Sequence, residues 1–359
     1  RFQTRFFQGR YGDLDSSVIS YGPCQTPTLG FCVDRHDEIS SFKPEPFWSL
    51  DVSVSASTGS QVALQWQRGR LFDAEVATTF MKIVSGDNNS DQSLKCIHVK
   101  VSKSRRTRPQ PMNTVELLKS ASKSLGIGPA DAMRSAESLY LSGMISYPRT
   151  ESTAYPNSFN IKGAIDVHKN SSLGGVADYS RDLLDKGYVK PRSGHDAGDH
   201  PPITPVGVAH GLSGNDSRLY DLIVRHFLAT VSPDAIFENT KITFDSIHGN
   251  ESFNVKGKKE VDPGFLAIYM YHSRQQEEEG EADQWAENDD NDEDDYGDIR
   301  DLPEFSIGQL YPISKMRLKE GKTSAPGYMT ESELIAQMER NGIGTDASIA
   351  THINNICTR

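Results

Sequence analysis

Two groups of alternating hydrophobic and polar residues predict β-strands at two separate places in the chain. In the first group, apolar positions alternate with polar ones over residues 48–54, 62–66 and 97–101. In the second group, the same alternation covers residues 242–244 and 253–255, on either side of a His-Gly-Asn-Glu turn. A period of two places one face of a strand in a core and the other in water. Both groups are therefore predicted to be half-buried antiparallel strands.

The stretch between the two strand groups has the period of a helix instead. Asn113 followed by Glu116 is a capping-box pattern, which predicts that a helix begins there. The Gly-Ile-Gly-Pro sequence at 126–129 ends that helix and opens a second one, because proline fits the first turn of a helix. The second helix is expected to stop near Gly143, and a further apolar stripe predicts a helix over about residues 217–230.

Together these elements predict an α+β multidomain fold in which a helical domain interrupts a β domain. The chain would leave the sheet near Pro109 and return to it near Leu219. Two crossings between the same two domains form a paired hinge, and hinges of this kind permit large opening motions.

The last segment predicts another capped helix, followed by a glycine-rich turn. Thr330 and Glu333 form a capping box, and the Gly-Ile-Gly-Thr-Asp-Ala-Ser sequence at 342–348 precedes an apolar helical period at 349–356. Glycines at a helix N-terminus, with Thr and Ser hydroxyls beside them, can cradle a phosphate, because free amides and the helix dipole face the anion. An ordinary helix–turn–helix connection has the same pattern, so both interpretations stay open.

The net charge of −11 comes largely from one acidic block. Residues 277–298 contain thirteen Asp and Glu residues and no Lys or Arg, and without them the chain has 38 basic and 36 acidic residues. The block is predicted to be a disordered, solvated loop, with an acidic decoy for a basic groove as the alternative. The nearly neutral remainder does not exclude a polyanionic ligand. Four scattered cysteines without a CxxC pair favour a reducing compartment, and no apolar run predicts a transmembrane helix.

The segment with the clearest chemistry reads Leu-Tyr-Leu-Ser-Gly-Met-Ile-Ser-Tyr-Pro-Arg-Thr-Glu over residues 139–151. Pro148 ends regular structure, so Tyr147 is not expected in the middle of a helix. A phenol is a poor nucleophile at neutral pH, and a guanidinium such as that of Arg149 would favour the phenolate and neutralise a phosphodiester. Tyrosine attack on a phosphodiester forms a reversible phosphotyrosine bond. Taken alone, a Tyr-Pro-Arg sequence is more often structural than catalytic.

Four segments together resemble the type IA DNA topoisomerase family. Residues 139–151 are similar to its active-site tyrosine motif, and Gly-Pro-Cys-Gln-Thr-Pro-Thr-Leu-Gly-Phe at 22–31 is similar to a motif of its domain IV. The Gly-His-Asp-Ala-Gly-Asp-His-Pro-Pro-Ile-Thr-Pro sequence at 194–205 resembles its histidine segment, and residues 342–348 resemble the segment that contacts the DNA backbone. The motifs follow the family's order over nearly the whole chain, in a form closest to the eukaryotic topoisomerase III beta group.

The resemblance implies roles for individual residues. Tyr147 would attack single-stranded DNA and become joined to a 5′-phosphate. Arg149 would position Tyr147 and stabilise the scissile phosphate, and His200 would contact phosphate nearby. Glu137 stands where some relatives carry a polar group that touches DNA. The other DNA-backbone positions that the resemblance implies are Gln25, Thr345 and Ser348.

The resemblance also divides the chain into parts of three family domains. Domain II is an antiparallel β arch, domain III is the inserted helical domain with the catalytic tyrosine, and domain IV is helical. The expected boundaries are 1–44 for part of domain IV, 45–108 for the first part of domain II, 109–217 for domain III, 218–325 for the second part of domain II with a disordered acidic loop at 274–300, and 326–359 for a truncated second part of domain IV. Because the chain begins at Arg1 without an initiator Met, it is interpreted as a piece of a longer protein.

The activity implied by the resemblance is ATP-independent breakage, strand passage and rejoining of single-stranded DNA. The family holds Mg²⁺ in a Toprim domain, and no matching acidic cluster precedes Tyr147, so the chain alone is expected to be inactive. Single-stranded DNA is the implied partner, with RNA and a Tudor-domain protein as further family-level partners and no membrane. The implied location is the nucleus and also the cytoplasm, with roles in DNA recombination and repair.

Other interpretations of the candidate residues stay open. The basic run at 100–108, which contains Arg105 and Arg106, is either a second nucleic-acid contact or a solvated strand end. The Asp and His side chains at 195–200 suit zinc or manganese, which would make the protein a metal hydrolase, although no metal site is predicted there. The main alternative to an enzyme is a non-catalytic module that binds single-stranded nucleic acid.

Overall fold

Six strands close into an antiparallel barrel in the order β1-β2-β5-β4-β3-β6. Our computed structural model describes residues 2–12, 21–86, 92–269 and 301–358. The strands are β1 (Pro46–Ser55), β2 (Gln61–Trp66), β3 (Ser93–Arg106), β4 (Ala235–Ser246), β5 (Ser252–Asp262) and β6 (Leu310–Lys322). The first five confirm the predicted strands, and β6 was not predicted. Alternate side chains of these strands fill the barrel core, including those of Val52, Val54, Phe244, Phe253 and Tyr311.

A second core lies among helices, and the described part of the chain has ten α-helices. They are α1 (Phe2–Tyr11), α2 (Gln25–Ser41), α3 (Ala74–Ser85), α4 (Thr114–Leu125), α5 (Pro129–Leu141), α6 (Ile161–Val167), α7 (Val176–Lys186), α8 (Gly214–Thr230), α9 (Glu331–Arg340) and α10 (Ile349–Thr358), with short 3₁₀ turns at His168–Asn170 and Gly264–Ala267. Helices α4, α5, α8, α9 and α10 share this core through Leu117, Leu139, Phe227, Ile335 and Ile353. We call it the helical core. The fold is therefore mixed α/β.

The predicted helix ends match the structure where capping chemistry marked them. The Asn113 side chain accepts a hydrogen bond from the Glu116 N–H (2.9 Å) at the start of α4, and α5 begins at Pro129. At the start of α9, Thr330 and Glu333 form the full capping box. Local side-chain hydrogen bonds thus fix these helix starts as the sequence indicates.

The chain passes from the barrel to the helical core and back through two adjacent strand ends. Arg106, the last residue of β3, pairs with Ala235, the first residue of β4. Beside this pair, the Arg108 guanidinium binds the Asp234 carboxylate at 2.7 Å. We call these four residues the neck.

The predicted return to the sheet near Leu219 is wrong, because Leu219 is fully buried in the helical core as part of α8 and the chain rejoins the sheet only at Ala235. The division into three family domains stays a prediction. The acidic block 277–298 and the predicted loop 274–300 lie outside the described residues. None of the helices in the described ranges combines the length and apolar character that crossing a membrane requires.

Candidate active site

The segment that carries Tyr147 is held in place by hydrogen bonds to the chain at 202–205. Helix α5 ends at Leu141, and Gly143 takes a positive φ of 73° that turns the chain back. The Ser146 N–H then donates to the Thr204 carbonyl, and the Thr204 N–H donates to Ser146 Oγ, both at 2.9 Å. Tyr147 therefore lies outside any helix, as Pro148 predicts, and its side chain is half-buried.

Two buried threonines anchor the residues that follow Tyr147. Thr114, the first residue of α4, donates to the Pro148 carbonyl at 2.7 Å and accepts from the Thr150 N–H at 2.9 Å. Thr150 in turn donates to the His200 carbonyl at 2.6 Å. Both threonines are fully buried, so water does not compete for these bonds. This network ties the segment of Tyr147 and Arg149 to the loop of His200.

Asp199 adds a charged link between the same two segments. Its carboxylate accepts from Ser152 Oγ at 2.7 Å and from the Glu151 N–H at 2.9 Å. Burial opposes ionisation of Asp199, but the hydrogen bonds from Ser152 and from the Glu151 and His200 N–H groups outweigh it and lower the pKa of this carboxyl. Asp199 is therefore a carboxylate at neutral pH.

The start of the His200 loop passes close to the chain at Thr153. A Cβ on Gly194 would lie 1.9 Å from the Thr153 carbonyl oxygen, so only glycine fits there. The His195 N–H donates to Thr153 Oγ1 at 2.9 Å, and the Thr153 N–H donates to the His195 carbonyl at 2.7 Å. These contacts fix the loop at the end opposite to His200.

The rings of Tyr147 and His200 line one open cavity, and the ring of Tyr140 contacts that of Tyr147. The Tyr147 and His200 ring centroids are 4.5 Å apart, and those of Tyr147 and Tyr140 are 5.2 Å apart, both edge-on. The cavity has a volume of about 370 Å³. We call it the tyrosine cavity; its lining is Tyr147, Arg149, Glu151, Ala197, Asp199, His200, Asp346 and Ala347. A phenol, a guanidinium and an imidazole thus share one space that a phosphodiester can enter.

Arg149 lies between the tyrosine cavity and a second cavity of about 290 Å³. Its Nη2 contacts Glu137 Oε1 at 2.5 Å, and its Nη1 donates to the Ala347 carbonyl at 2.9 Å. Glu137 lines the second cavity and Tyr147 lines the first. Glu137, a predicted DNA contact, thus forms an ion pair with Arg149, and its contact with DNA stays a prediction.

Thr345 and Ser348 form a turn at the start of α10. The Thr345 N–H donates to Ser348 Oγ, and the Ser348 N–H donates to the Thr345 carbonyl, both at 2.9 Å. Gly344 has a φ of 85°, which favours glycine. Asp346 and Ala347, the two residues between Thr345 and Ser348, line the tyrosine cavity. The predicted phosphate-binding turn therefore borders this cavity.

The other predicted DNA contacts lie away from the tyrosine cavity. Gln25 is the first residue of α2, which packs on α9 and α10. Arg105 lies 3.9 Å from the Asp234 carboxylate, and burial lowers the pKa of Arg106. None of the three lines the cavity, and their DNA-binding roles stay predictions.

The metal alternative finds no support in the arrangement of the loop. Both Asp199 oxygens are taken by hydrogen bonds from Ser152 and Glu151. Across the described ranges, no group of three or more His, Cys, Asp or Glu side chains is placed to hold a metal ion. The Mg²⁺ that the resemblance implies belongs to a Toprim domain and not to this loop, and no chemical step is assigned to it.

Sequence reasoning did not identify several residues of the site. The sequence around Thr114 and Ser152 does not mark them as site residues. A threonine or serine that forms hydrogen bonds with the main chain cannot be distinguished by sequence from any other threonine or serine. Asp346 and Ala347 lie inside the predicted turn but were given no role. Tyr140 lies in α5, and the helical pattern gives no sign that its ring contacts the ring of Tyr147.

The tyrosine cavity brings a tyrosine, an arginine and a histidine together within the helical part of the chain. The family model described as DNA topoisomerase matches residues 2–359, and the chain belongs to the type IA DNA topoisomerase family. The chain also has the fold of full-length topoisomerase I from Thermotoga maritima, with a TM-score of 0.67 and 22% identity over 95% of this chain and 51% of that one.

Among relatives, the chain is similar to the topoisomerase 3-beta proteins. It is 47% identical to DNA topoisomerase 3-beta of Oryza sativa and 45% identical to DNA topoisomerase 3-beta-1 of Homo sapiens, over its full length in both cases. It spans 38% of the length of each. The predicted resemblance to the beta group is therefore confirmed.

Proposed function

We propose that this chain supplies the nucleophile half of a type IA topoisomerase that acts on single-stranded DNA. The observation that carries the proposal is the shared cavity of Tyr147, Arg149 and His200. A DNA strand with one phosphate in that cavity would place its phosphorus within reach of the phenol. The guanidinium and imidazole are donors that can stabilise the phosphate oxygens.

In the proposed reaction, Tyr147 Oη attacks the phosphorus and the bond to the 3′ oxygen breaks. The tyrosine becomes joined to the 5′-phosphate, and the proton that the phenol gives up is balanced by one that the released 3′ oxygen takes up to become the 3′-hydroxyl. Rejoining is the reverse attack by that hydroxyl, with the proton returning to the phenol. One phosphodiester replaces another in each direction, so the bond energy is kept and no ATP is consumed.

Strand passage would use the connection between the two cores. While the 5′ end stays on Tyr147, the helical segment would swing about the neck and let a second strand through. The Mg²⁺ of the reaction would be held by the Toprim domain that the resemblance implies. RNA as a second substrate, a Tudor-domain partner, and nuclear and cytoplasmic location with roles in recombination and repair follow from the resemblance alone and stay predictions.

The test is capture of the covalent intermediate in the full-length protein that contains this chain. Labelled single-stranded oligonucleotide is incubated with protein and Mg²⁺, the mixture is denatured, and protein-bound label is measured. Tyr147→Phe is expected to abolish the adduct and to change oligonucleotide affinity less than twofold, because only the phenolic oxygen is removed. Tyr140→Phe is the matched control and should keep adduct formation.

The same assay separates the enzyme from the alternative. A protein that binds the oligonucleotide but never forms an adduct is the non-catalytic binding module. An adduct that survives Tyr147→Phe would disprove the role of that residue.

A further inference from the structure

Arg149 is held by a carboxylate that lies on the side away from the tyrosine. Its Nη2 is 2.5 Å from Glu137 Oε1, and the two side chains remain 29% and 45% exposed. Arg149 lines both cavities, whereas Glu137 lines only the one without Tyr147. The strongest contact of the guanidinium thus lies outside the cavity where the phosphate would react.

The position of Glu137 makes it a direct competitor of an incoming phosphate. It projects from α5, while Arg149 follows the strand-like segment of Tyr147, so the ion pair joins two separate elements. A carboxylate and a phosphate offer similar paired oxygens to one guanidinium. Because the pair is partly exposed, its net stabilisation is small and an anion can displace it.

We infer that Glu137 is the resting counter-ion of Arg149, which the arginine exchanges for a backbone phosphate when single-stranded DNA enters the tyrosine cavity. The inference rests on the proposed function and deepens it. Glu137 acts as a positioning residue: it keeps the arginine extended and neutralised until the substrate arrives. The contact from Arg149 Nη1 to the Ala347 carbonyl lets the guanidinium turn while it stays attached to the turn that borders the cavity.

The exchange predicts that removal of the Glu137 charge strengthens binding. Glu137→Gln keeps the shape and one acceptor oxygen but no longer competes as an anion. Affinity for a short oligothymidylate, measured by fluorescence anisotropy with this chain, should rise about two- to fivefold, the range expected for release of a half-exposed ion pair.

Two controls separate the exchange from a general gain of positive charge. Glu151→Gln removes the same charge from the tyrosine cavity without contacting Arg149, and should raise affinity less than Glu137→Gln does. In an Arg149→Ala background, Glu137→Gln should have no further effect, because the competition needs the arginine. An equal gain in that background, or from Glu151→Gln, overturns the inference.

A second measurement does not depend on DNA binding. The Arg149 Nε–Hε resonance is followed by NMR as inorganic phosphate is added to the wild-type chain and to Glu137→Gln. The variant resonance should respond at lower phosphate concentration, and identical responses, or none in either protein, overturn the inference. Loss of the Tyr147 adduct would instead count against the proposed function, so the two failures are distinguishable.

Discussion

At the scale of the residue, His168 is an ionisable group whose charged form is clearly disfavoured by its buried position. It is fully buried in the helical segment, and neither ring nitrogen has a hydrogen-bond partner within the described residues. Burial lowers the pKa of its imidazole from 6.5 to about 4, because a charged ring would lose its hydration. The folded chain therefore holds a neutral histidine that the unfolded chain would protonate in mild acid.

This histidine should make stability fall as the pH falls from 6.5 toward 4. In that range the unfolded state binds a proton that the folded state refuses, so protonation favours unfolding. At pH 5 the loss is about 2 kcal/mol relative to neutral pH. Urea unfolding at pH 7 and pH 5 should show a loss that is larger in the wild type than in His168→Leu by about 2 kcal/mol, because the other buried histidine, His226, is common to both proteins. Equal losses in both proteins would show that His168 is protonated when folded.

Individual residues of the site could be predicted from the sequence, but their arrangement in space could not. The Tyr-Pro-Arg sequence and the histidine segment could be found as local patterns, and the structure brings Tyr147, Arg149 and His200 to one cavity. Their juxtaposition could not be derived from the sequence alone, since it depends on the Ser146–Thr204 and Thr150–His200 hydrogen bonds between distant segments. Such bonds use common residues and leave no periodic signal.

At the scale of the element, the helices differ in how much of their start is fixed by side chains. Thr330 opens α9 with a reciprocal capping box, whereas Ser213 opens α8 without a side-chain hydrogen bond. Thr330 and Ser213 are both hydroxyl residues at the N-cap position of a helix. A comparison of the two therefore isolates the contribution of the capping hydrogen bonds to stability.

Thr330→Ala is expected to destabilise the chain by about 1 kcal/mol, because the Glu333 N–H loses its acceptor at the helix start. Ser213→Ala should cost much less, since its hydroxyl caps nothing in α8. Thermal or urea unfolding of both variants provides the comparison. Equal losses would mean that the capping box adds nothing beyond the residue type.

The elements that escaped prediction have identifiable physical reasons. In β6, a register shift opposite Ser53 and Val54 interrupts the alternation between Ile313 and Met316, so the period of two is broken. Helix α2 buries only Thr28 and thus has no apolar stripe to detect. Strands with regular alternation and several helices with marked starts were predicted from the sequence, but α3, which Asp73 caps, and the amphipathic helix α7 were not.

At the scale of the whole molecule, the neck joins the helical segment 109–234 to the barrel at both ends of that segment, whereas α2, α9 and α10 are connected to the barrel through β1 and β6. Asp234 accepts from both the N–H and the guanidinium of Arg108. Burial opposes ionisation of Asp234, but these hydrogen bonds and the charges of Arg108 and Arg105 outweigh it and lower the pKa of the carboxyl. The neck is thus closed by a charged contact.

Asp234→Asn should loosen the neck and cost about 2 kcal/mol, as expected when a charge-assisted hydrogen bond is lost. Hydrogen exchange of the amides near Arg106 and Ala235 should accelerate together with this loss. Asp182→Asn, which breaks an exposed pair with Lys186, is the control and should leave exchange at the neck unchanged. Unchanged exchange in Asp234→Asn would show that the strand pairing alone closes the neck.

The pairing of Arg106 with Ala235 also decides how mechanical load would travel through the molecule. The end of β3 and the start of β4 lie side by side where they connect to residues 109–234. A pull on the helices of that segment therefore draws β3 and β4 in the same direction and puts no load on the hydrogen bonds between them. The strain passes instead to the ladders with β5 and β6, which resist as shear along the strands. The helical segment 109–234 is therefore attached to the barrel by a two-stranded tether, about which it can turn while the barrel keeps its closed shape.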